Sequence, residues 1–190
     1  MGLSKPGAET QRDRVLSEDE IRAVWSACDA APGIIADAFR LMLLTVQRRG
    51  EVLSMRWQDV DGAWWTIPAE VAKNGRSHRV PLSPQALAIL ERRRQRGKGP
   101  WVFPSPTMDR PIENPQKAAA APPPALEPDL RLHDFRRTAA SLMTGMGISR
   151  LTVKKILNHA ERDVTAIYDR HSYDPEKRTA LDAWGRRLES

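Results

Sequence analysis

The feature of this sequence that most restricts its fold is a strongly apolar segment at residues 34–46, IIADAFRLMLLTV. Its large apolar side chains recur at the three- and four-residue spacing of one helical face, at Ile35, Phe39, Met42, Leu43 and Val46. The segment is shorter than the roughly 18 residues that a membrane-spanning helix needs. We therefore predict a buried helix around which the other elements pack, and no membrane partner.

The segments on either side of this helix carry start signals for further helices. Residues 1–14 are rich in Gly, Pro and charge and are predicted to be a linker or arm. Ser17 precedes Glu20 by three residues, which matches a capping box and predicts that a helix begins there. After the apolar segment, residues 51–57 are predicted to form a second helix.

A small antiparallel sheet is predicted next in the chain. Residues 60–68 and 77–82 have the composition of strands, and the dipeptide Asn74-Gly75 lies between them. Asn-Gly is the strongest short-range signal for a tight hairpin, because both residues tolerate positive φ.

The rest of the chain is predicted to be helical apart from one long loop. Ser83-Pro84 opens a helix, since Pro in the first turn lacks only an N–H that would have no helical partner. Residues 104–128 are rich in Pro and Ala and predict a surface loop or a partly mobile segment. Helices are expected at roughly 84–94, 134–145, 149–157, 161–168 and 175–188. The predicted fold class is α+β, mainly α-helical with a small antiparallel β-sheet.

Composition limits the setting and the partners of this domain. The 190 residues, 41% of them hydrophobic, suit one globular domain of ordinary size. The net charge of +6 fits a nucleic-acid partner and a plain basic surface equally well. Cys28 is the only cysteine and the N-terminus has no signal-peptide core, so we expect a reducing, cytoplasmic setting. The four histidines lack metal-ligand spacing, so no catalytic metal is expected.

Three segments carry side chains that could hold or attack a phosphate. Arg48 follows the predicted buried helix, and His133 and Arg136 share one helical face. An imidazole can transfer a proton, while a guanidinium can hold an anion bidentately. Tyr168, nine residues after His159, has a hydroxyl that becomes a nucleophile if cations stabilise its phenolate. Taken alone, each segment is explained at least as well by a solvated helix end, a surface pair or a tyrosine packed in the core.

The order of these residues along the chain closely resembles the tyrosine recombinase family, which includes the phage integrases. Its first motif, T-G-x-R-x-x-E, corresponds to Thr45-Val46-Gln47-Arg48-Arg49-Gly50-Glu51. Its H-x-x-R motif corresponds to His133 and Arg136, and its L-x-H motif with a tyrosine nine residues on corresponds to Leu157, His159 and Tyr168. Lys73 in AKNGRSHRVPLS matches the family's lysine. The resemblance covers about residues 14–188.

The resemblance implies an enzyme that cuts and rejoins DNA through a 3′-phosphotyrosine bond, without a metal ion or other cofactor. Tyr168 would be the nucleophile, with Tyr173 as a less favoured alternative. Arg48 and Arg136 would bind the non-bridging oxygens of the phosphate, and Lys73 would protonate the departing 5′ oxygen.

The remaining motif residues would assist this reaction. His133 would exchange the tyrosine proton or donate a hydrogen bond to the phosphate, and His159 would donate another. Glu51 would orient Arg48 or a helix end, although a plain surface carboxylate explains it nearly as well.

Double-stranded DNA and further copies of the chain are the partners that the resemblance implies. Phosphate contacts are expected from six cations, although surface charge alone could explain each of them: Arg49, Arg76, Arg79, Arg137, Lys154 and Lys155. Leu181, Trp184 and Leu188 form an apolar stripe on the predicted helix 175–188, which packs on its own domain or on a neighbour. Because such tails often dock onto a neighbouring subunit in this family, we predict a homo-oligomer on DNA through this helix.

The domain boundaries and the first motif depart from the family pattern. We expect an arm at residues 1–14 and a catalytic domain at residues 15–190, with the N-terminal DNA-binding domain of the family absent from this chain. Val46 replaces the family's usual glycine and resists positive φ. Either the turn does not need positive φ, or Arg48 is slightly displaced.

Three alternative functions remain open from the sequence. The chain could be a catalytically decayed, DNA-binding prophage remnant. It could be a type IB topoisomerase-like enzyme that relaxes supercoiled DNA without exchanging strands. It could also be a helical module that binds a protein partner.

Overall fold

The computed structural model describes residues 13–113, 130–159 and 171–190. Within these ranges the helices are α1 (Glu18–Ala30), α2 (Ile34–Thr45), α3 (Arg49–Leu53), α4 (Pro84–Arg96), α5 (Leu132–Gly145), α6 (Arg150–Ile156) and α7 (Asp174–Glu189). The strands are β1 (Val60–Asp61), β2 (Trp64–Ile67) and β3 (His78–Pro81). The predicted fold class is confirmed. The predicted helix 161–168, most of the arm 1–14 and residues 114–128 of the predicted loop lie outside the described residues.

The apolar helix α2 lies at the centre of the domain. It packs against α1, α4, α5 and α7, so it is covered on several sides. Phe39 of α2 meets Phe135 of α5 edge to face, with ring centroids 6.2 Å apart. The indole N–H of Trp184 in α7 donates to the carbonyl oxygen of Leu43 at 2.8 Å. The prediction of a buried central helix is confirmed.

The predicted helix starts at Ser17 and Ser83 are also confirmed. The backbone N–H of Glu20 donates to Ser17 Oγ, and the backbone N–H of Ser17 donates to Glu20 Oε2 at 2.7 Å. These two bonds form the reciprocal capping box. Ser83 caps α4, whose first residue is Pro84.

The helix predicted at residues 51–57 is wrong in its extent. Helix α3 ends at Leu53 because the next residues pair with a distant segment. The carbonyl oxygen of Met55 accepts a hydrogen bond from Val102 N, and Trp57 N donates to the carbonyl oxygen of Pro100, each at 3.0 Å. These bonds use backbone groups that a longer helix would need for itself. A single 3-10 turn follows at Trp57–Asp59.

The sheet has the order β1-β2-β3, and both neighbouring pairs are antiparallel. The single strand predicted at residues 60–68 is wrong, because the chain turns at Gly62, which has φ 52°. The tight hairpin predicted at Asn74-Gly75 is also wrong. Strands β2 and β3 pair up to Ile67 and His78, so residues 68–77 form a long connecting loop. Only Gly75 of the predicted turn pair has positive φ, at 68°.

The C-terminal helix α7 belongs to the core of its own domain. The side chains of Leu181, Trp184 and Leu188 are 1%, 0% and 7% exposed. The helix packs against α2, α4, α6 and β3. The apolar stripe therefore packs on its own domain. Among the described residues, no helix is both long enough and apolar enough to cross a bilayer.

Candidate active site

An open pocket of about 450 Å³ is formed by three stretches that are distant in the sequence. The described residues that line it are Gln47, Arg48, Arg49, Gly50, Lys73, Leu130, Arg131, Leu132, His133 and Arg136. Four of these are predicted catalytic residues: Arg48, Lys73, His133 and Arg136. The fold therefore brings together side chains that the sequence only placed in order.

Arg136 is held at the floor of this pocket by two backbone carbonyl groups. Its Nη1 donates to the carbonyl oxygen of Val46 at 2.6 Å, and its Nη2 donates to that of Leu157. A guanidinium has five N–H groups, so these two bonds leave donors for a bound anion. Burial and the charge of Arg48 lower the pKa of Arg136 to about 9, while Glu51 acts in the opposite direction. The guanidinium is therefore still cationic at neutral pH.

Val46 adopts a left-handed backbone, with φ 59° and ψ 22°, at the C-terminal end of α2. The alternative in which this turn needs no positive φ is therefore wrong. A left-handed conformation costs a β-branched residue roughly 1–2 kcal/mol. The side chain is fully buried, at 0% exposed, and burying a valine contributes about 1.5–3 kcal/mol. Core packing thus offsets the strain at this position.

Glu51 connects the first motif to the loop that carries Lys73. It is 3% exposed, so the interpretation as a plain surface carboxylate is wrong. Its carboxylate accepts hydrogen bonds from the backbone N–H of Arg48 at 2.9 Å and from Arg48 Nη1 at 3.0 Å. The backbone N–H of Lys73 lies 3.5 Å from Glu51 Oε1. Glu51 thus has the geometry of a residue that orients Arg48.

Both predicted histidines experience the charge of the pocket arginines. Burial is the main cause that lowers the pKa of His133, and Arg136 is the next. Partial burial, followed by the charges of Arg136 and Arg48, also lowers the pKa of His159. Because both pKa values lie below the ordinary value near 6.5, both imidazoles are mostly neutral at pH 7.

Two asparagines that the sequence patterns did not single out join the Lys73 loop to the His159 turn. Asn74 Nδ2 donates to the backbone oxygen of Asn158 at 2.9 Å and to its Oδ1 at 3.0 Å. Asn158 Nδ2 donates in return to Asn74 Oδ1 at 3.2 Å. The one available signal was position, since each asparagine adjoins a predicted catalytic residue.

Three further residues near the site were also missed. Gln47 is buried, and its Nε2 donates to the carbonyl oxygen of Ile156 at 2.9 Å. His78 Nε2 lies 3.0 Å from the same oxygen. Arg131 lines the pocket two positions before His133. Nothing in the local sequence distinguishes these residues, because their contacts join distant parts of the chain.

Several of the predicted DNA-binding cations are near the pocket or exposed. Arg49 lines the pocket. The charge of Arg137 contributes to the lowered pKa of His133, and the charge of Lys154 contributes to that of His159. Arg76 is exposed on the loop 68–77.

Arg79 and Lys155 contact residues of this domain, close to the start of α7. The guanidinium of Arg79 lies 4.0 Å from the ring centroid of Trp64 and makes a 3.0 Å ion pair with Asp174. Lys155 Nζ lies 4.5 Å from the ring centroid of Tyr173. Neither cation is among the described residues that line the pocket.

The predicted nucleophile Tyr168 lies outside the described residues. Tyr173 is described, and it precedes α7 with φ 55°. It is not among the described residues that line the pocket. Within the described ranges, no three His, Cys, Asp or Glu side chains are grouped closely enough to hold a metal ion.

Comparisons with known proteins agree with this fold and with the family resemblance. The model of the phage integrase family matches residues 14–174. The chain is 29% identical over 176 residues to prophage integrase IntZ of Escherichia coli strain K12, covering 90% of this chain and 44% of that protein. It is 31% identical over 151 residues to prophage integrase IntA of the same strain, covering 77% and 37%. The chain thus spans about two fifths of these relatives.

A solved structure shares the fold at lower sequence identity. It is a lambda integrase tetramer bound to a Holliday junction, with a TM-score of 0.60 and 22% identity. The similarity covers 90% of this chain and 52% of that one. The motif order, the shared pocket and the family match together show that this chain belongs to the phage integrase family.

Proposed function

We propose that this chain, from about residue 15 onward, is the catalytic domain of a site-specific DNA recombinase that acts in the cytoplasm. It cuts and rejoins double-stranded DNA through a 3′-phosphotyrosyl bond. The observation that carries this proposal is the pocket shared by Arg48, Lys73, His133 and Arg136. Three cationic side chains and an imidazole around one open volume suit a single phosphate diester.

The two arginines supply the charge that a phosphoryl transfer needs. The transition state gains negative charge on the non-bridging oxygens, and preorganised guanidinium groups stabilise that charge. Arg136 is fixed by two carbonyl groups and Arg48 by Glu51, so neither has to reorganise when the reaction occurs. Removing one such donor in other enzymes costs roughly 2.7–4 kcal/mol of barrier.

Proton transfer falls to the lysine and the histidines. Tyr168 would give up its phenolic proton, and His133, whose pKa is lowered, would accept that proton or donate a hydrogen bond to the phosphate. The Tyr168 oxygen bonds to phosphorus, the bond from phosphorus to the 5′ oxygen breaks, and Lys73 gives that oxygen a proton. His159 donates a hydrogen bond to a non-bridging oxygen. Rejoining reverses these steps with another 5′ hydroxyl, so no cofactor is consumed.

DNA binding would depend mainly on phosphate contacts. Arg49, Arg76, Arg137 and Lys154 are the main candidates. Arg79 and Lys155 would contribute less, because Arg79 is paired with Asp174 and Lys155 lies over Tyr173. Such binding weakens steeply as salt rises.

Assembly of several copies on DNA is part of the proposal, supported by the lambda integrase tetramer on a Holliday junction. Since the apolar stripe of α7 is buried in its own domain, a contact through this helix would use its exposed residues, such as Glu176, Thr179 and Arg186. Charge-reversing and bulky substitutions at these positions should reduce assembly on DNA without unfolding the domain. Unchanged assembly would exclude this helix as the contact.

Covalent trapping tests the function directly. The wild-type chain is incubated with a pool of nicked duplexes that have randomised cores, in which the fragment after the nick diffuses away and prevents rejoining. We expect a protein–DNA adduct that survives denaturant, and mass spectrometry should place the DNA on Tyr168. The adduct should vanish in Tyr168→Phe and persist in the matched control Tyr173→Phe.

The outcomes separate the alternatives. DNA binding without any adduct would indicate a decayed remnant and overturn the proposal. Relaxation of supercoiled plasmid without strand exchange between selected sites would indicate a topoisomerase-like enzyme.

A further inference from the structure

The amide pair Asn74–Asn158 is a closed set of hydrogen bonds between two loops. Asn74 Nδ2 donates twice to Asn158, and Asn74 Oδ1 accepts from Asn158 Nδ2 and from the backbone N–H of Arg76. Asn158 Nδ2 also approaches the carbonyl oxygen of Arg76 at 3.4 Å. Both asparagines are partly buried, although the neighbouring Lys73 and His159 are exposed.

The pair occupies the point where three predicted catalytic groups meet. Lys73 directly precedes Asn74, and His159 directly follows Asn158. The carbonyl oxygen of Leu157, one position before Asn158, accepts a hydrogen bond from Arg136. A shift of either asparagine would therefore move the backbone that carries Lys73 relative to the turn that holds Arg136 and His159.

The Lys73 loop needs such an anchor, because the sheet does not fix it. Strand pairing stops at Ile67 and His78, so residues 68–77 lie beyond the last paired residues. Within that loop, the backbone bonds close only local turns, such as Gly75 N to the carbonyl oxygen of Ala72. The contact of Lys73 N with Glu51 is long, at 3.5 Å. Ala72 anchors one side of this loop in the core, and among the described residues the amide pair supplies its shortest hydrogen bonds to the rest of the site, at 2.9 and 3.0 Å.

We propose that Asn74 and Asn158 are positioning residues that hold Lys73 in place to protonate the departing 5′ oxygen. This inference rests on the proposed function. An acid group accelerates a reaction only when it is correctly placed. If the loop moves, Lys73 is misplaced and the rate falls, although the acid itself is unchanged.

Two substitutions separate the side-chain bonds from the backbone conformation. Asn158→Gly removes the amide but keeps the left-handed backbone, since Asn158 has φ 48° and glycine adopts that value without strain. Asn74→Ala removes the partner amide. If the two side chains act as one unit, the double variant should be no slower than the slower single variant.

The decisive measurement compares two leaving groups. A duplex selected by covalent capture with the wild-type chain is resynthesised with sulfur in place of the 5′ bridging oxygen at the cut site. A thiolate leaves without a proton because thiols are far more acidic than alcohols. We expect Asn74→Ala and Asn158→Gly to form adduct about 10–100-fold more slowly than wild type with the oxygen duplex, and within about threefold of it with sulfur.

Two reference variants calibrate that result. Lys73→Ala should show the same rescue by sulfur, and Arg136→Ala should stay slow on both duplexes. The ratio of the two rates for one variant does not depend on its folded fraction, so a loss of stability cannot mimic rescue. As a measurement without DNA, the backbone amides of residues 74–76 should exchange hydrogen at least about tenfold faster in Asn158→Gly.

The outcomes of these experiments test the positioning role separately from the proposed recombinase function. If wild type forms adduct but the asparagine variants keep the full rate, or are equally slow on both duplexes, the positioning role is wrong and the recombinase function stands. If wild type forms no adduct with any duplex of the pool, both are overturned.

Discussion

The carbonyl oxygen of Val46 accepts a 2.6 Å hydrogen bond from Nη1 of Arg136, a residue 90 positions later in the chain. The left-handed backbone of Val46 ends α2 and exposes this carbonyl group to α5. The family's usual glycine would adopt the same backbone freely. Here a buried valine adopts it instead, and the arginine is still held in the pocket.

The strain at Val46 predicts an inverted order of stability. Val46→Gly and Val46→Ala both remove buried methyl groups, so both should unfold more easily than wild type. Glycine should nevertheless be about 1 kcal/mol more stable than alanine here, because only alanine keeps the left-handed penalty. Urea unfolding of the purified variants measures this difference.

Val24 supplies the control, since it is buried in the regular helix α1. There the order should be the usual one, with Val24→Gly less stable than Val24→Ala by about 1 kcal/mol. If the glycine variant is less stable than the alanine variant at both positions, the backbone of Val46 carries no strain.

His78 predicts a pH-dependent loss of stability. Burial, followed by the charge of Lys177, lowers its pKa to about 4, from about 6.5 in the unfolded chain. Below pH 6.5 the unfolded chain therefore binds more protons, so its contribution to stability is complete above pH 6.5 and is lost as pH falls towards 4. The slope should approach about 1.4 kcal/mol per pH unit.

His78→Gln is the matched control, because its amide can still donate to the carbonyl oxygen of Ile156 but does not titrate. Chemical unfolding at several values between pH 7 and pH 4.5 should show a smaller loss for this variant than for wild type. Parallel curves would assign the whole pH effect to other titrating groups and contradict the prediction.

Glu51 predicts a coupled loss of stability and activity. Glu51→Ala leaves the Arg48 guanidinium and two backbone N–H groups without their acceptor. We therefore expect the free energy of unfolding to fall by about 1–3 kcal/mol. We also expect the covalent adduct with DNA to form at least about tenfold more slowly. Glu51→Gln keeps one acceptor oxygen, so its stability and its rate of adduct formation should lie between those of Glu51→Ala and wild type. The exposed Glu91→Gln should change stability by less than about 0.5 kcal/mol. If Glu51→Ala forms the adduct as fast as wild type, the proposal that Glu51 orients Arg48 is wrong.

The proposed phosphate contacts predict distinct salt dependences. A plot of log binding constant against log salt concentration, measured on a short duplex, has a slope of about −0.9 for each phosphate contact. Arg49→Ala and Arg76→Ala should each flatten the slope by nearly that amount. Arg79→Ala should flatten it less, because Asp174 already offsets its charge. An unchanged slope in both Arg49→Ala and Arg76→Ala would show that these two residues do not contact DNA phosphates.

Where the predictions failed, distant backbone groups competed with local preference. The helix expected at residues 51–57 stops at Leu53, since Met55 and Trp57 bond to Val102 and Pro100 instead. The Asn-Gly signal at residue 74 did not make a tight hairpin: strand pairing stops at Ile67 and His78, and the side chain of Asn74 bonds to Asn158. Both outcomes depend on segments that lie far away in the sequence.

The sequence by itself determined the helical core, the capped helix starts and the order of the predicted phosphate-binding residues, because those features depend on local periodicity and on side-chain chemistry. Only the tertiary structure decided that Val46 is left-handed, that Glu51 is buried against Arg48, and that two asparagines join the loops of Lys73 and His159. Such contacts arise when the packing of α2 brings remote backbone groups together. A local sequence pattern does not predict which distant carbonyl group a side chain will contact.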